Sequence, residues 1–279
     1  MRVLFFFIFV FYLSSSGKAQ TIDSASIIIK YQLTFLSNSL NPKNKSTDIM
    51  QLCIGDKIST FYSYMDFRFD SLLKNDMANG TVIMKDYRES PELRSTYPAP
   101  YPLNRYQLYI NYPENSITTT DAIFSGNYLF EEEMEPLKWT ISGDTMNLSG
   151  YNCQKATTNF RGRSYIAWFA SELPWNVGPY KFRGLPGLIL KIEDTKENFI
   201  FECIEIQHLR IKQPIVLNSK DFIKTSRAEY RKLLKAGFDN PYQVLIADHI
   251  SNITLSEDAS NYFKATLQKP LPYNPIELE

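Results

Sequence analysis

The amino-acid sequence predicts an α+β fold: a curved antiparallel β-sheet, an open half-barrel, with a few C-terminal helices packed on one side. Three observations carry this. Short alternating apolar and polar segments follow one another through the middle of the chain, with turn signals about every ten residues and no intervening helices. The main helix signals come after the last of these segments. The 279 residues include 19 Phe, 18 Tyr and 3 Trp, side chains that suit a pleated, half-buried surface.

The elements follow in order. Ser26–Leu36 reads as a long strand in which Tyr31, Leu33 and Phe35 alternate with Lys30, Gln32 and Thr34. The polar run Ser37–Asp48 is a loop. Ile49–Ile54 and Ile58–Tyr64 are strands hinged at Gly55-Asp56, and Phe67–Met77 is a short helix. Pro91, Pro98, Pro100 and Pro102 make Tyr87–Leu103 an extended loop. Tyr106–Tyr112 and Ile117–Ile123 form a hairpin around Pro113-Glu114-Asn115. Then come Tyr128–Glu133, Leu137–Ile141, Met146–Thr158, Arg163–Ala170, Leu188–Glu193 and Phe199–Gln207, with turns at Ser142-Gly143-Asp144 and Asp194–Asn198. Ser226-Arg227-Ala228-Glu229 is a capping box opening a helix. Tyr230, Leu233 and Leu234 share a face of that helix, and Gly237 stands at its C-terminal cap. A second helix spans Ser256–Gln268, and the proline-rich tail Lys269–Glu279 is extended.

The start of the chain reads as a separate segment. Met1-Arg2, the apolar run Val3–Leu13 and the small residues Gly17 and Ala19 make the three parts of a secretory signal peptide, residues 1–19, cut before Gln20. The run is shorter than the roughly 20 residues of a membrane helix. Residues 20–279 are then one β-rich domain, exported to the periplasm, the periplasmic face of the outer membrane or the medium, with no transmembrane span after signal removal. Lys and Arg number 30, as do Asp and Glu; losing Arg2 and Lys18 leaves 28 against 30. That balance lacks the basic excess of a nucleic-acid binder. Two histidines, His208 and His249, and no Cys-x-x-Cys spacing predict no metal site and no cofactor.

Around the middle of the chain the residues spell out a signature. Gly184-Leu185-Pro186-Gly187-Leu188-Ile189 is similar to the motif of the GLPGLI family of exported bacterial proteins. The similarity extends to Gly150–Thr157 with Cys153, to Arg161-Gly162-Arg163, Ala167-Trp168-Phe169, Glu172-Leu173-Pro174 and Gly178–Phe182, and to Asn274–Leu278 at the end. This resemblance implies an exported protein and brings no catalytic residues with it. Physically, Pro186 and Gly187 at the second and third positions of Leu185–Leu188 have the chemistry of a type II turn leading into a core strand. The turn is either fold punctuation or the mouth of a groove.

The candidate groove residues are Trp168, Trp175, Tyr180 and Phe182, with Arg161 and Arg163 as an anion clamp; core packing and pairing with acids such as Glu172 are the alternatives. The acidic run Glu131, Glu132, Glu133 and Glu135 reads as solvated, and Asp248-His249 is a weak acid–base hint. Cys53, Cys153 and Cys203 lie in strands. In a flat meander Cys153 and Cys203 are about 14 Å apart, beyond disulfide reach. Cys53 with Cys153 stays open. The favoured function is a non-catalytic binding or accessory protein of the cell envelope holding a lipid or peptide. That rests on the analogy of a half-barrel that carries acyl chains. A peptide or glycan hydrolase and an accessory partner of an outer-membrane transporter are the alternatives.

Overall fold

The computed structural model describes residues 20–67, 104–123, 126–217, 222–241, 270 and 272–279. The predicted signal peptide, most of Phe67–Met77, nearly all of the proline-rich loop, Asp248-His249 and the helix at Ser256–Gln268 lie outside them. The described strands are β1 (Gln20–Phe35), β2 (Ser46–Ile54), β3 (Ser59–Ser63), β4 (Gln107–Ile110), β5 (Ser116–Ile123) and β6 (Gly126–Glu133). They continue with β7 (Thr140–Leu148), β8 (Tyr151–Phe160), β9 (Arg163–Ala170), β10 (Leu188–Asp194), β11 (Phe199–Leu217) and β12 (Ile223–Lys224), followed by helix α1 (Arg227–Asp239).

All twelve strands join one open sheet in the order β12-β6-β5-β4-β3-β2-β1-β11-β10-β9-β8-β7. Pairing is antiparallel throughout except for the short β12, which runs parallel to β6. Curvature follows from contacts that a flat sheet forbids. Glu132 on β6 and Arg161 at the β8–β9 turn are separated by eight strand spacings, about 38 Å when flat, yet their side chains are 3.2 Å apart. Phe61 on β3 likewise meets Phe201 on β11 with ring centroids 6.1 Å apart.

The concave face holds the main core. Alternation on β1 sends Ile29, Tyr31 and Leu33 inward to join Leu52, Phe61, Phe169 and Phe201. Ile28, of opposite parity, and Ala25, beyond the register shift between Ala25 and Ile27, pack outward with Cys53, Ile58 and Tyr109 against Ile215 and Leu217 of β11. The hydroxyl of Tyr109 donates to the Val216 carbonyl at 2.9 Å, so the far half of the β1–β11 ribbon folds back over the outer face of β4.

Four expectations need correction. The break between β7 and β8 falls at Ser149-Gly150, where both residues have positive φ, 52° and 90°. This is the signature of a two-residue hairpin turn that matches strand twist. Ser142-Gly143-Asp144 is instead an irregularity inside β7, between the Ile141 and Thr145 pairs. β11 runs ten residues past Gln207, because the long β1 supplies it a partner as far as Gln20↔Leu217. Helix α1 begins at the predicted cap, where the Ser226 hydroxyl accepts from the Glu229 amide, but it passes through a buried Gly237 and ends at Asn240. Of its predicted apolar face, Tyr230 is buried and Leu234 packs beside it, while Leu233 is exposed.

Candidate functional site

The site is built from strand parity. On β6, Tyr128, Phe130 and Glu132 alternate with Leu129, Glu131 and Glu133; Phe130 faces the concave side, so Glu132 does too. On β5 the same rule turns Thr119, Asp121 and Ile123 inward. Helix α1 crosses this surface, with Tyr230 stacking on Phe130 at 4.9 Å between centroids. Between the sheet, α1, Tyr180 and the tail lies a cavity of about 630 Å³, within the range of small-molecule sites. Its apolar walls include Leu33, Phe35, Leu108, Ile123 and Phe130, and its polar side includes Asp121, Lys181, Arg227 and Glu277.

The polar side is tightly organised. Glu277 is buried, and its carboxylate accepts from the Tyr180 hydroxyl at 2.6 Å, Lys181 Nζ at 2.7 Å and the Arg227 guanidinium at 2.6 and 3.0 Å. Burial alone pushes a carboxyl up; here Lys181, Tyr180 and Arg227 outweigh it and hold Glu277 at about 2. Glu132 pairs with the same Lys181, with Arg161 at 3.2 Å and with Arg227 at 3.5 Å. Three cations thus share two buried carboxylates. Asp121 accepts from the Tyr230 hydroxyl; burial holds its carboxyl above the ordinary value despite that bond and the nearby Arg105.

The tail is stapled across the concave face. The Asn274 amide donates to the Leu36 carbonyl at 2.7 Å, and the Leu278 amide to the Arg161 carbonyl at 2.9 Å. Arg163 donates to the carbonyls of Pro275 and Ile276 and to the Asn274 side chain, and pairs with the buried Asp194 at 3.2 Å.

The six residues expected to form a groove are therefore divided. Tyr180 lines the cavity. Phe182 is buried in the core against Tyr165 and Phe160, with centroids 4.6 and 5.5 Å away. Trp168, half-buried, lies near the Lys155 ammonium, and Trp175 lies beside the His208 ring. Arg161 borders a smaller recess of about 370 Å³ with Glu132, Lys138 and Arg183. Arg163 is closed beneath the tail. Both arginines clamp oxygen acceptors, as their type suggests, and those acceptors belong to the chain itself.

Glu132 is no solvated acid: its parity with Phe130 was the available signal. Asp121 and Glu277 carry no local signal of this role, since their partners come from distant segments. Cys53, Cys153 and Cys203 are all free and buried. Cys203 and Cys153 face the inner core and Cys53 the outer cluster, and burial raises the Cys203 thiol to about 11.

The Gly184–Ile189 segment caps the β9–β10 connection. Gly187 donates to the Leu185 carbonyl at 2.8 Å, so the turn around Pro186 is a three-residue γ-type turn. This replaces the expected type II turn: Gly187 has φ +154°, and the Leu188 amide bonds the Leu173 carbonyl. The reason is close approach. A Cβ on Gly187 would stand 2.2 Å from the Ala170 carbonyl oxygen. Cys153 sits under this region on β8, buried in the same core.

The fold and site define a curved, open antiparallel sheet whose concave face is partly filled by its own chain and partly open. Among the described residues no helix is long and apolar enough to cross a membrane, and no cluster of His, Cys, Asp and Glu has the makings of a metal site. Residues 161–191 match the family described as "Protein of unknown function (Porph_ging)". Among solved structures, PNGF-II in two crystal forms is similar at TM-score 0.47 and 13% identity, covering 75% of this chain and 33% and 32% of PNGF-II. The chain thus spans about a third of that protein's length. No curated protein matches.

Proposed function

We propose that this chain is an exported, non-catalytic binding or accessory protein of the cell envelope, and that its 161–191 match reflects membership of the GLPGLI family. The observation that carries the reading is the cavity of about 630 Å³ against an apolar sheet wall. A pocket of that size and lining suits a lipid or a short apolar peptide segment. Export is supported by the three-part leader ending at Ala19. The buried carboxylates Glu132 and Glu277 are each consumed by ion pairs, which favours anchoring over catalysis.

Native mass spectrometry of the processed protein, freshly purified without detergent, tests both halves. The expected result is a chain beginning at Gln20 with a small apolar molecule retained in part of the population. An intact leader on exported protein contradicts the first half. A ligand-free spectrum together with no uptake of any fatty acid or peptide contradicts the second.

A further inference from the structure

The charge on the cavity's lining is unevenly used. Glu277 is engaged by Lys181, Tyr180 and Arg227, and Asp121 is engaged by the Tyr230 hydroxyl. Two lining guanidiniums are in no salt bridge among the described residues. Arg105, exposed at the rim just before β4, makes no salt bridge among the described residues, although its charge acts on the carboxyl of Asp121. Arg231 on α1 makes no salt bridge among the described residues; it reaches the Glu277 backbone carbonyl at 3.5 Å and acts electrostatically on Tyr273. A third group on the lining is also incomplete: Thr119 is buried, and its hydroxyl oxygen has no hydrogen-bond partner among the described residues. Buried polar atoms are rarely left so, and an orphan on a pocket wall marks where an outside atom belongs. Behind these groups the wall is hydrocarbon, with Leu33, Leu108 and Phe130.

From this we infer that the cavity binds a single-chain amphiphile with a carboxylate head, the head taken by Arg105 and Arg231 and the chain laid against Leu33, Leu108 and Phe130. The inference rests on the apolar-ligand reading above and specifies the ligand's chemistry. Guanidinium groups match a carboxylate with paired donors. Thr119 supplies one more donor to a ligand oxygen. Asp121 faces the same space, but burial shifts its carboxyl toward the neutral form, against the bond from Tyr230, and so reduces its repulsion of an incoming anion. A neutral chain leaves both arginines without a counter-charge.

Calorimetric titration of the whole processed protein with dodecanoate, dodecanol and inorganic phosphate, below micelle concentrations, tests this. The expected result is that dodecanoate binds at least about tenfold more tightly than dodecanol, a margin expected of a charge-assisted hydrogen bond. Phosphate does not displace it. The paired variant Arg105→Gln with Arg231→Gln brings dodecanoate down to the dodecanol level, and Thr119→Val weakens it severalfold; both keep the parent's circular dichroism and Tm. Equal binding of dodecanoate and dodecanol, or dodecanoate affinity unchanged in the folded arginine variant, overturns the head assignment and leaves the apolar pocket standing. Displacement by phosphate overturns the amphiphile in favour of a plain anion site. Binding of neither chain removes the underlying reading as well.

Discussion

The concave face of this one sheet is treated differently at its two ends. Under β8–β11 the chain fills the space itself: Phe182, Leu185 and Ile276 pack onto Tyr165, Phe169 and Ile192, and Arg163 ties the tail down. Under β4–β6 the same kind of inward residues, Leu108, Ile123 and Phe130, face a cavity. Composition does not distinguish them, since both walls are apolar. What differs among the described residues is the covering segment: a loop and tail with matching side chains at one end, helix α1 with the tail along its border at the other. A β-sheet face must be covered by something, and under β4–β6 the described residues leave a cavity in that cover.

The sharpest way to break the filled end is Gly187→Ala. The added methyl meets the Ala170 carbonyl at a backbone conformation that only glycine adopts readily. The expected loss is about 5 kcal/mol, the scale of strain and overpacking combined, read by denaturant unfolding. Next comes Arg163→Ala, which frees the tail and strands the buried Asp194. Loss of one partner of a buried pair costs about 4 kcal/mol, and residues 274–279 should become susceptible to carboxypeptidase.

Acid should act through Glu277. Its pKa of about 2 lies below its ordinary 4.5, so its contribution is complete above about pH 4.5 and is lost as the pH falls toward 2. The loss is roughly 3 kcal/mol. Unfolding followed between pH 5 and 2 should show this limb in the parent and a flatter one in Glu277→Gln. A finer contrast compares Phe182→Ala with Phe130→Ala. The first opens a hole in filled core and should cost about 4 kcal/mol. The second removes a ring already bordering empty volume and should cost about 2 kcal/mol less. Equal losses erase the distinction between the ends.

Much of the sheet was legible in the sequence, because alternation and turn residues are local. β9 was read to the residue, and the Ser226 cap opened α1 as expected. The turn at Ser149-Gly150 was passed over because Ser142-Gly143-Asp144 carries the stronger turn composition. Only the flanking pairs of Ile141 with Ala156 and Thr145 with Gln154 on β8 keep those residues within a strand. The extra ten residues of β11 were hidden because their reason is β1, nearly two hundred positions away. The site was least legible. Arg161 and Arg163 have the donors of an anion clamp, and no local signal shows that the acceptors are Glu132, Asp194 and the tail. Phe182 and Tyr180 are two residues apart, yet one ends in the core and the other on the cavity wall. Sequence spacing cannot sort such neighbours when they lie in a loop with no fixed parity.

The most direct test is a crystal of the processed protein soaked with dodecanoate brominated at its methyl end. The account predicts an anomalous bromine peak on the concave face among Leu33, Leu108 and Phe130, and none under β8–β11. Those three side chains closed on one another, with no bromine between them, would contradict it.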